Sequence, residues 1–322
     1  MGISTFFSCQ TNKRFIPVAE HKKAEIESGG RTRKFIFFAP ENSSKHLSLI
    51  FLLHGGGGSG EGMLYLSRFS DLADSNGYIV VYPDGTHGRW NDGRNLAFSV
   101  ADRERVDDTL FFRDLTEYFL TNYPIDKSKI FVAGISNGGL MTQKLLCEAS
   151  DIFNAGYVVA STTSTVLRDN CLFQQPVSIG FIMGKNDDVI PYKGGTIRIP
   201  TDASKPNQRV DAGTVLSYEE SLRFWSEKLE CNSKSESLKP KLGSFFTKTL
   251  PYTKYENCKN EVRVEGYVLP KGGHIWPHGF YYTNERNYGY LSEDLDTREV
   301  LLDFFFSSKP KEQEKKIVHV RD

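Results

Sequence analysis

The sequence lacks the features that would direct a chain to a membrane interior or to a polyanion. No stretch of its 322 residues approaches the roughly 18 consecutive apolar residues of a transmembrane helix. Neither sign of charge is in excess, because 40 basic side chains are balanced by 40 acidic ones. A chain without net charge has no general attraction for nucleic acid or for an anionic lipid surface. We therefore expect no transmembrane segment and no nucleic-acid partner.

Cysteine is also scarce, and its spacing excludes two common uses. The five cysteines show neither the spacing of a zinc knuckle nor that of a redox pair. Four of them lie in the body of the chain, so two disulfides are possible by number, which would suit an exported protein. The alternative is a set of buried, unpaired thiols. The cysteines are Cys9, Cys147, Cys171, Cys231 and Cys258.

The two ends of the chain differ in composition from its middle. The N-terminus, "MGISTFFSCQ", has no basic segment and only a short apolar run, so residues 1–30 are predicted to be a leader or disordered. Its "FFSC" resembles the end of a lipoprotein signal, with Cys9 as the residue that would be lipidated. Residues 309–322 form a charged tail that is predicted to fray.

Between the ends, apolar strand-like runs alternate with helix-like stretches over residues 31–308. Runs such as "LSLIFLLHGGGG" and "YIVVYPDG" are typical of strands buried on both faces. Strands that alternate with helices of ten or more residues predict one α/β domain, with a mostly parallel sheet and helices on both faces. Residues 193–213 and 232–260 are polar and are predicted to be irregular insertions. Asp107 and Asp108 are predicted to cap a helix.

A serine stands at one strand-to-helix junction. The stretch "IFVAGISNGGLM" contains a Gly-x-Ser-x-Gly string around Ser136, between a run of strand formers and a run of helix formers. A turn this sharp strains the serine backbone and exposes its hydroxyl at the start of the next helix, and only small neighbours fit around it. In that context Ser136 is predicted to be a nucleophile. The alternative is a purely structural turn.

A second strand ends in His54 followed by four glycines. Glycines let the backbone approach a substrate closely and turn its N–H groups towards it. Acyl transfer needs two such donors for the oxyanion, and we assign them to the N–H groups of Gly56 and Asn137. A phosphate-binding loop is the rival interpretation, and it fails because the Gly-Lys-Ser/Thr ending of that motif is absent.

Two further strands end just before an acid and a histidine. A serine hydroxyl becomes a good nucleophile when an imidazole takes its proton, and a carboxylate orients that imidazole. Asp187 and His274 follow Ser136 in the chain order of an α/β-hydrolase triad. Asp188 is the alternative acid, and His278 is the alternative base.

Three aromatic residues are assigned to substrate binding. Trp90 and Trp276 each lie in a loop with glycine or proline neighbours, where an exposed indole would be costly. They either fill the core or line a pocket, and we predict pocket lining for both. Tyr192, just after the predicted acid, is the third candidate.

Several of these motifs together resemble the polyhydroxybutyrate depolymerase/feruloyl esterase family of secreted α/β-hydrolases. The resemblance covers residues 30–307 and preserves the order of the motifs. They are "LHGGGG", "YPDGTHGRWNDGR", "VDDTLFFRDLTEYFLTNYPIDKSKIFVAGISNGGLM", "GKNDDVIPYKGG" and "GGHIWPHG". The family's acid aligns with Asp187, because Pro191 and Tyr192 fix the register, and its base aligns with His274. Three residues beside these positions depart from the family pattern, so the resemblance does not determine the substrate. They are Met183, Ile275 and His278.

The resemblance implies a serine esterase that needs no metal or organic cofactor. Its expected substrates are hydroxyalkanoate oligomers, or feruloyl or acetyl esters on plant polysaccharide. It also implies a disulfide between Cys231 and Cys258, and hence a secreted, periplasmic or cell-surface protein. Two rivals remain open: a serine peptidase on the same fold, and a binding module without catalytic activity.

Overall fold

The structure, a computed structural model, describes residues 20–41, 46–200, 208–240, 249–279 and 289–308. The predicted leader up to residue 19, with Cys9, and the predicted tail at 309–322 lie outside these ranges. Twelve strands are found in the described ranges: β1 (Lys22–Ser28), β2 (Arg31–Phe38), β3 (Leu47–Leu53), β4 (Tyr78–Pro83), β5 (Ile125–Ile135), β6 (Ala155–Val159), β7 (Ser178–Gly184), β8 (Gly195–Pro200), β9 (Arg209–Val215), β10 (Ser233–Pro240), β11 (Thr249–Glu256) and β12 (Val264–Leu269). The helices described there are α1 (Gly60–Ser67), α2 (Ala73–Asn76), α3 (Val100–Arg103), α4 (Asp108–Asn122), α5 (Asn137–Glu148), α6 (Thr165–Asn170), α7 (Tyr218–Lys228) and α8 (Thr297–Ser307).

Ten of the described strands form one sheet in the order β1-β2-β4-β3-β5-β6-β7-β12-β11-β10. The six central strands, from β4 to β12 in that order, are parallel to one another. Antiparallel strands extend the sheet on both sides. The predicted α/β architecture with a mostly parallel sheet is therefore confirmed.

The central strands are buried on both faces, as their continuous apolar sequences predict. Every residue of β3, β4, β6 and β7 is buried. One face of the sheet packs against apolar residues of α4, α5 and α7, and the other packs against those of α1 and α8. No helix in the described ranges is both long enough and apolar enough to cross a membrane.

Three polar segments are more ordered than the sequence predicted. Residues 22–28, assigned to the leader, form β1 and pair with β2, so the sheet begins before residue 31. The first predicted irregular insertion contains β8 and most of β9, which pair antiparallel, and the second contains β10 and β11. All eight residues of β10 are exposed. Such strands are held by backbone pairing at an edge, so their sequences need no apolar alternation.

Two disulfides are present in the described structure. The predicted bond between Cys231 and Cys258 is confirmed, and it joins the residues just after α7 to the end of β11. Cys147 and Cys171, whose pairing the sequence left open, form the second bond, which ties the last turn of α5 to the residue after α6.

One of the two predicted capping residues of α4 has a different role. Asp107 caps the helix, since its Oδ1 accepts from the Leu110 N–H at 2.8 Å. Asp108 is fully buried, and its Oδ1 accepts from Arg33 Nη2 at 2.7 Å while its Oδ2 accepts from the Asn91 N–H at 2.8 Å. Burial raises the pKa of Asp108, and the charge of Arg33 opposes that rise. The capping prediction was wrong for Asp108, which instead forms a buried ion pair.

Replacing Arg33 with methionine is expected to destabilise the fold by about 3–5 kcal/mol, because it leaves the Asp108 carboxyl group buried without its cation. Arg31→Met is the matched control. Arg31 pairs with Glu104 at 2.8 Å, but both side chains are about half exposed. An exposed pair contributes about 0–1 kcal/mol. Urea unfolding of both variants measures the difference in their free energies of unfolding. Similar losses of stability in the two variants would show that the buried ion pair is no more important than the exposed one.

Candidate active site

The residues predicted to carry the chemistry follow strands of one continuous parallel part of the sheet. Ser136 follows β5, while Asp187 and His274 come after β7 and β12. The strands β5, β6, β7 and β12 are consecutive and parallel. Because the carboxyl ends of parallel strands meet at one edge of a sheet, all three side chains belong to that edge.

Ser136 has the strained backbone that the sequence predicted. Its φ is 57° and its ψ is −121°, in a region that costs a non-glycine residue about 1–3 kcal/mol. Its N–H donates to the Val159 carbonyl at 3.0 Å, and its carbonyl accepts from the Leu140 N–H at 2.9 Å, which is the first bond of α5. Ser136 is partly exposed, whereas Ile135 and Asn137 on either side are buried. The turn therefore presents this one side chain at the start of a helix.

The glycines around Ser136 are required by close packing. A Cβ on Gly134 would lie 2.4 Å from the Gly138 carbonyl oxygen, and one on Gly138 would lie 2.5 Å from the oxygens of both Leu53 and His54. Backbone atoms cannot yield as a flexible side chain can, so any larger residue would displace the turn. This packing also fixes the glycine loop after β3 next to the serine, since a Cβ on Gly55 would be 3.4 Å from Ser136 Cβ.

Asp187 and His274 are joined by a buried hydrogen bond. His274 Nδ1 lies 2.8 Å from Asp187 Oδ2, and both side chains are almost inaccessible to solvent. The other oxygen of Asp187 accepts from the N–H groups of Val189 and Ile190 at 2.9 and 2.8 Å. A carboxylate held at both oxygens orients the ring and keeps a proton on Nδ1, so Nε2 is the basic nitrogen of the neutral ring.

Asp188 and His278, the alternative acid and base, lie in different environments from Asp187 and His274. Asp188 is exposed, and it lies beside the buried Asp187. His278 is 43% exposed in its side chain, and its Nδ1 is 3.8 Å from Asp296 Oδ2. Arg298 binds the same Asp296 carboxylate at 2.6 Å. His278 is therefore paired with a carboxylate that already has a strong cationic partner.

The glycine loop after β3 is held in place by hydrogen bonds of the His54 ring, a role that was not predicted from the sequence. The Gly85 N–H donates to His54 Nε2 at 3.0 Å, so the ring donates through Nδ1 to the Gly55 carbonyl at 2.8 Å. Burial lowers the pKa of His54, and the Gly55 carbonyl and the charge of Asp84 oppose this effect. A neutral imidazole thus links the loop to the turn that begins at Gly85. Its position immediately before four glycines was the signal that could have identified it.

Two of the N–H groups of the loop are engaged in backbone hydrogen bonds. The Gly57 N–H donates to the Gly88 carbonyl at 2.8 Å, and the Gly58 N–H donates to the Gly55 carbonyl at 3.0 Å. Of the four glycines, Gly55 and Gly56 therefore remain as the candidates for donors to a ligand.

Asn137, the first residue of α5, is fixed through its side chain. Its Oδ1 accepts from the Trp90 N–H at 2.9 Å, and its Nδ2 donates to Asp92 Oδ2 at 2.6 Å. Asp92 in turn forms a two-pronged ion pair with Arg94, at 2.8 and 2.7 Å. Arg94 also donates to the Ala212 carbonyl in β9 at 2.5 Å. Asp92 and Arg94 were not predicted, although the motif "WNDGR" contains both.

The pocket-lining prediction was wrong for both tryptophans. Trp90 and Trp276 are each only 1% exposed and belong to the two core clusters. Trp90 lies beneath the glycine loop, where its Nε1 donates to the His54 carbonyl at 2.9 Å. An indole whose N–H is satisfied inside the protein packs like any large apolar group. Tyr192 is half-buried, and its hydroxyl donates to Glu219 at 2.7 Å, so its role in binding stays a prediction.

Among the described residues, no group of three or more His, Cys, Asp or Glu side chains is arranged to hold a metal ion.

Comparison with known proteins identifies the fold. The chain superposes on an acetyl xylan esterase from Aspergillus awamori with a TM-score of 0.57, over 88% of this chain and 99% of that one, at 12% identity. The chain has the α/β-hydrolase fold. Within it, residues 65–175 match the model of the prolyl oligopeptidase family, and they include Ser136.

Two similar proteins are esterases. The chain is 32% identical over 136 residues to an acetylxylan esterase of Coprinopsis cinerea, and the alignment covers 41% of this chain. It is 25% identical over 210 residues to feruloyl esterase B of Piromyces equi, which covers 65% of this chain. Each alignment spans 36% of the relative's own length. These similarities support the expected esterase family in its broad sense, and its polyhydroxybutyrate depolymerase part stays a prediction.

Proposed function

We propose that the protein is a carboxylic ester hydrolase that forms an acyl-enzyme on Ser136. The observation that carries this proposal is the buried hydrogen bond between Asp187 and His274, at the same sheet edge as a serine with a strained, partly exposed conformation. A merely structural turn would not need an oriented imidazole at the same edge of the sheet. Similarity to acetylxylan and feruloyl esterases supports the same reaction class.

The first half of the reaction transfers the acyl group to the enzyme. The Ser136 hydroxyl attacks the ester carbonyl carbon while His274 Nε2 takes its proton, and Asp187 stabilises the resulting imidazolium. The tetrahedral intermediate then collapses, the carbon–oxygen bond to the alcohol breaks, and His274 returns the proton to the departing oxygen. In the second half, water attacks the acyl-enzyme carbonyl while His274 takes a proton from it. The bond to Ser136 then breaks, His274 returns the proton to the serine oxygen, and the carboxylic acid is released.

The N–H groups of Gly56 and Asn137 are proposed to bind the oxyanion. The packing of Gly55 against Ser136 brings the glycine loop to the nucleophile, and Asn137 follows it directly in the chain. The hydrogen bonds of the Asn137 side chain with Asp92 and with the Trp90 N–H hold this residue in place. They support the assignment, because an N–H donor that is already fixed stabilises the oxyanion without reorganisation.

The proposed substrates are acetyl or feruloyl esters on plant polysaccharide, or hydroxyalkanoate oligomers. The activities of the two relatives favour the first two classes. A serine peptidase on the same fold is the second candidate, and the match to the prolyl oligopeptidase family model is the observation that favours it.

A substrate panel tests this proposal. It comprises 4-nitrophenyl butyrate, methyl ferulate, acetylated xylan, hydroxybutyrate oligomers and a proline-containing peptide 4-nitroanilide. We expect turnover of at least one ester class, with little cleavage of the peptide. Preferential cleavage of the peptide would favour the peptidase. Absence of all turnover, together with no labelling of Ser136 by a fluorophosphonate, would leave the binding module.

The protein is proposed to act outside the cytosol, in the medium, the periplasm or at the cell surface. Two disulfides in the described structure support this, since such bonds persist in oxidising compartments. Fractionation of the native host followed by thiol labelling tests it. Recovery of the protein in the cytosol with the four disulfide cysteines as reactive thiols would contradict the proposal.

A further inference from the structure

The side chain of Asn137 is fixed by three hydrogen bonds to residues 90–92. Its Oδ1 accepts from the Trp90 N–H at 2.9 Å, and its Nδ2 donates to the Trp90 carbonyl at 3.1 Å and to Asp92 Oδ2 at 2.6 Å. Both hydrogens of the amide and its oxygen are thus engaged, which fixes the plane of the side chain. All three bonds lead away from α5, so they do not cap the helix. They tie the residue after Ser136 to another loop.

Asp92 is fixed in turn by Arg94, two residues later in the chain. The Arg94 Nε and Nη2 atoms donate to Asp92 Oδ1 and Oδ2 at 2.8 and 2.7 Å, and the Arg94 N–H donates to Oδ1 at 3.2 Å. The side chains of Asp92 and Arg94 are only 1% and 4% exposed. A buried carboxylate bound by donors at both oxygens keeps one orientation.

A bulge in β9 holds the remaining edge of the guanidinium group. The pairing of β8 with β9 sets Ile197 opposite both Ala212 and Gly213. Such a bulge interrupts the hydrogen bonds of the strand pair. Here the Ala212 carbonyl accepts from Arg94 Nη1 at 2.5 Å, and a Cβ on Gly213 would lie 3.1 Å from Arg94 Cδ. The stem and the head of the arginine are therefore both packed against the bulge.

Stability alone is a weak reason for this buried ion pair. Replacing such a pair with apolar residues of similar volume is often neutral or stabilising. The pair instead lies one side chain away from a group with a proposed role in catalysis. The Asn137 N–H, at the start of α5, has no partner within the helix and is proposed to bind the oxyanion. A donor stabilises that charge best when its direction is fixed beforehand.

We propose that Asp92 and Arg94 are positioning residues for ester hydrolysis. Asp92 keeps the Asn137 N–H directed at the oxyanion through the Asn137 side chain, and Arg94 keeps the Asp92 carboxylate in its orientation. This inference rests on the proposed function and adds two residues to it. Both side chains are buried away from a substrate, so their loss should lower kcat and leave KM nearly unchanged.

The test compares two double variants, Asp92→Leu/Arg94→Met and Asp92→Asn/Arg94→Met. Both remove the two buried charges, so neither leaves an unpaired ion, and we expect both to fold. They differ in one respect: asparagine at position 92 can accept a hydrogen bond from Asn137 Nδ2, and leucine of nearly the same size cannot. The single variant Arg94→Met leaves the Asp92 carboxylate buried without its cation, so it should lose both Tm and kcat.

The assay is hydrolysis of 4-nitrophenyl butyrate. We expect kcat of Asp92→Leu/Arg94→Met to fall about 10- to 100-fold, which is part of the loss caused by removing an oxyanion donor altogether. Its KM should stay within about twofold of the wild type. Asp92→Asn/Arg94→Met should keep a kcat about tenfold higher than the leucine variant. Equal kcat values in the two double variants would overturn the proposal, because the bond from residue 92 to Asn137 would then have no effect.

Arg263→Met is the control for loss of a largely buried cation elsewhere. Arg263 binds Glu265 at 3.2 Å, and their side chains are 16% and 9% exposed. This pair lies at the start of β12, whose other end leads to His274. Arg263→Met should lower Tm and leave kcat unchanged. A fall in kcat as large as that of Arg94→Met would show that lost stability is sufficient to lower kcat, and it would overturn the positioning role of Arg94.

Hydrogen exchange separates this inference from the proposed reaction, since it needs no substrate. The Leu140 N–H donates to the Ser136 carbonyl at 2.9 Å in the first hydrogen bond of α5. Exchange of this amide, measured by NMR, should be about tenfold faster in Asp92→Leu/Arg94→Met than in Asp92→Asn/Arg94→Met, because the released Asn137 loosens the first turn. That result supports the inference even if no ester is hydrolysed. Equal exchange in the two variants would overturn it, whatever the esterase assays give.

Discussion

Replacing Ser136 with alanine is expected to lower kcat for 4-nitrophenyl butyrate by about 10³-fold or more. The nucleophile and its base act as a unit, so the loss of either removes most of the catalysis. The substitution deletes one partly exposed hydroxyl and keeps the Cβ that packs against Gly55. The fold should therefore persist, with a Tm within about 3 °C of the wild type.

Ser75→Ala is the matched control for that experiment. Ser75 lies on the exposed surface of α2, where its hydroxyl donates to the Leu72 carbonyl. Its loss should leave kcat unchanged, and only Ser136→Ala should abolish labelling by a fluorophosphonate. Full activity in Ser136→Ala would rule out the acyl-enzyme.

His274→Ala is expected to be about as damaging as the loss of the nucleophile. It removes the proposed base and leaves the Asp187 carboxyl group without the imidazole that it orients. His278→Ala is the control within the same loop, and we expect it to lower kcat by no more than about threefold, because Arg298 still holds Asp296. The assay is again hydrolysis of 4-nitrophenyl butyrate, with circular dichroism as the check on folding.

The opposite outcome has a clear interpretation. If His278→Ala abolishes activity and His274→Ala does not, the base has been assigned to the wrong histidine. Addition of imidazole offers a further check. A small base that diffuses into the space vacated by the His274 ring should restore part of the activity of His274→Ala, and it should not change the activity of His278→Ala.

The central sheet and the nucleophile turn were predictable because their sequence signals are local. A strand buried on both faces needs a continuous apolar run, and β3 and β4 show one. Gly134 and Gly138 are needed because a backbone oxygen would lie within 2.5 Å of a Cβ added at either position. Such steric demands appear directly in the sequence as small residues at fixed spacing.

Features that depend on distant contacts were not predictable. The edge strands β1 and β10 are polar, because pairing at a sheet edge is made by the backbone and leaves the side chains in solvent. Trp90 lies between polar residues in the sequence, and only the folded chain places it under the glycine loop. Arg94 binds a carbonyl 118 residues away, and local patterns carry no information on such a partner.

The contact between Arg94 and Ala212 has a consequence for protein engineering. Hairpins such as β8–β9 are natural modules to exchange between relatives when a new selectivity is sought. Here the hairpin supplies the Ala212 carbonyl, which accepts a hydrogen bond from Arg94. Arg94 binds Asp92, and Asp92 accepts a hydrogen bond from Asn137, the residue that follows Ser136. A transplanted hairpin should therefore present a backbone carbonyl at the same place, and grafts that do not should lose turnover before they lose the fold.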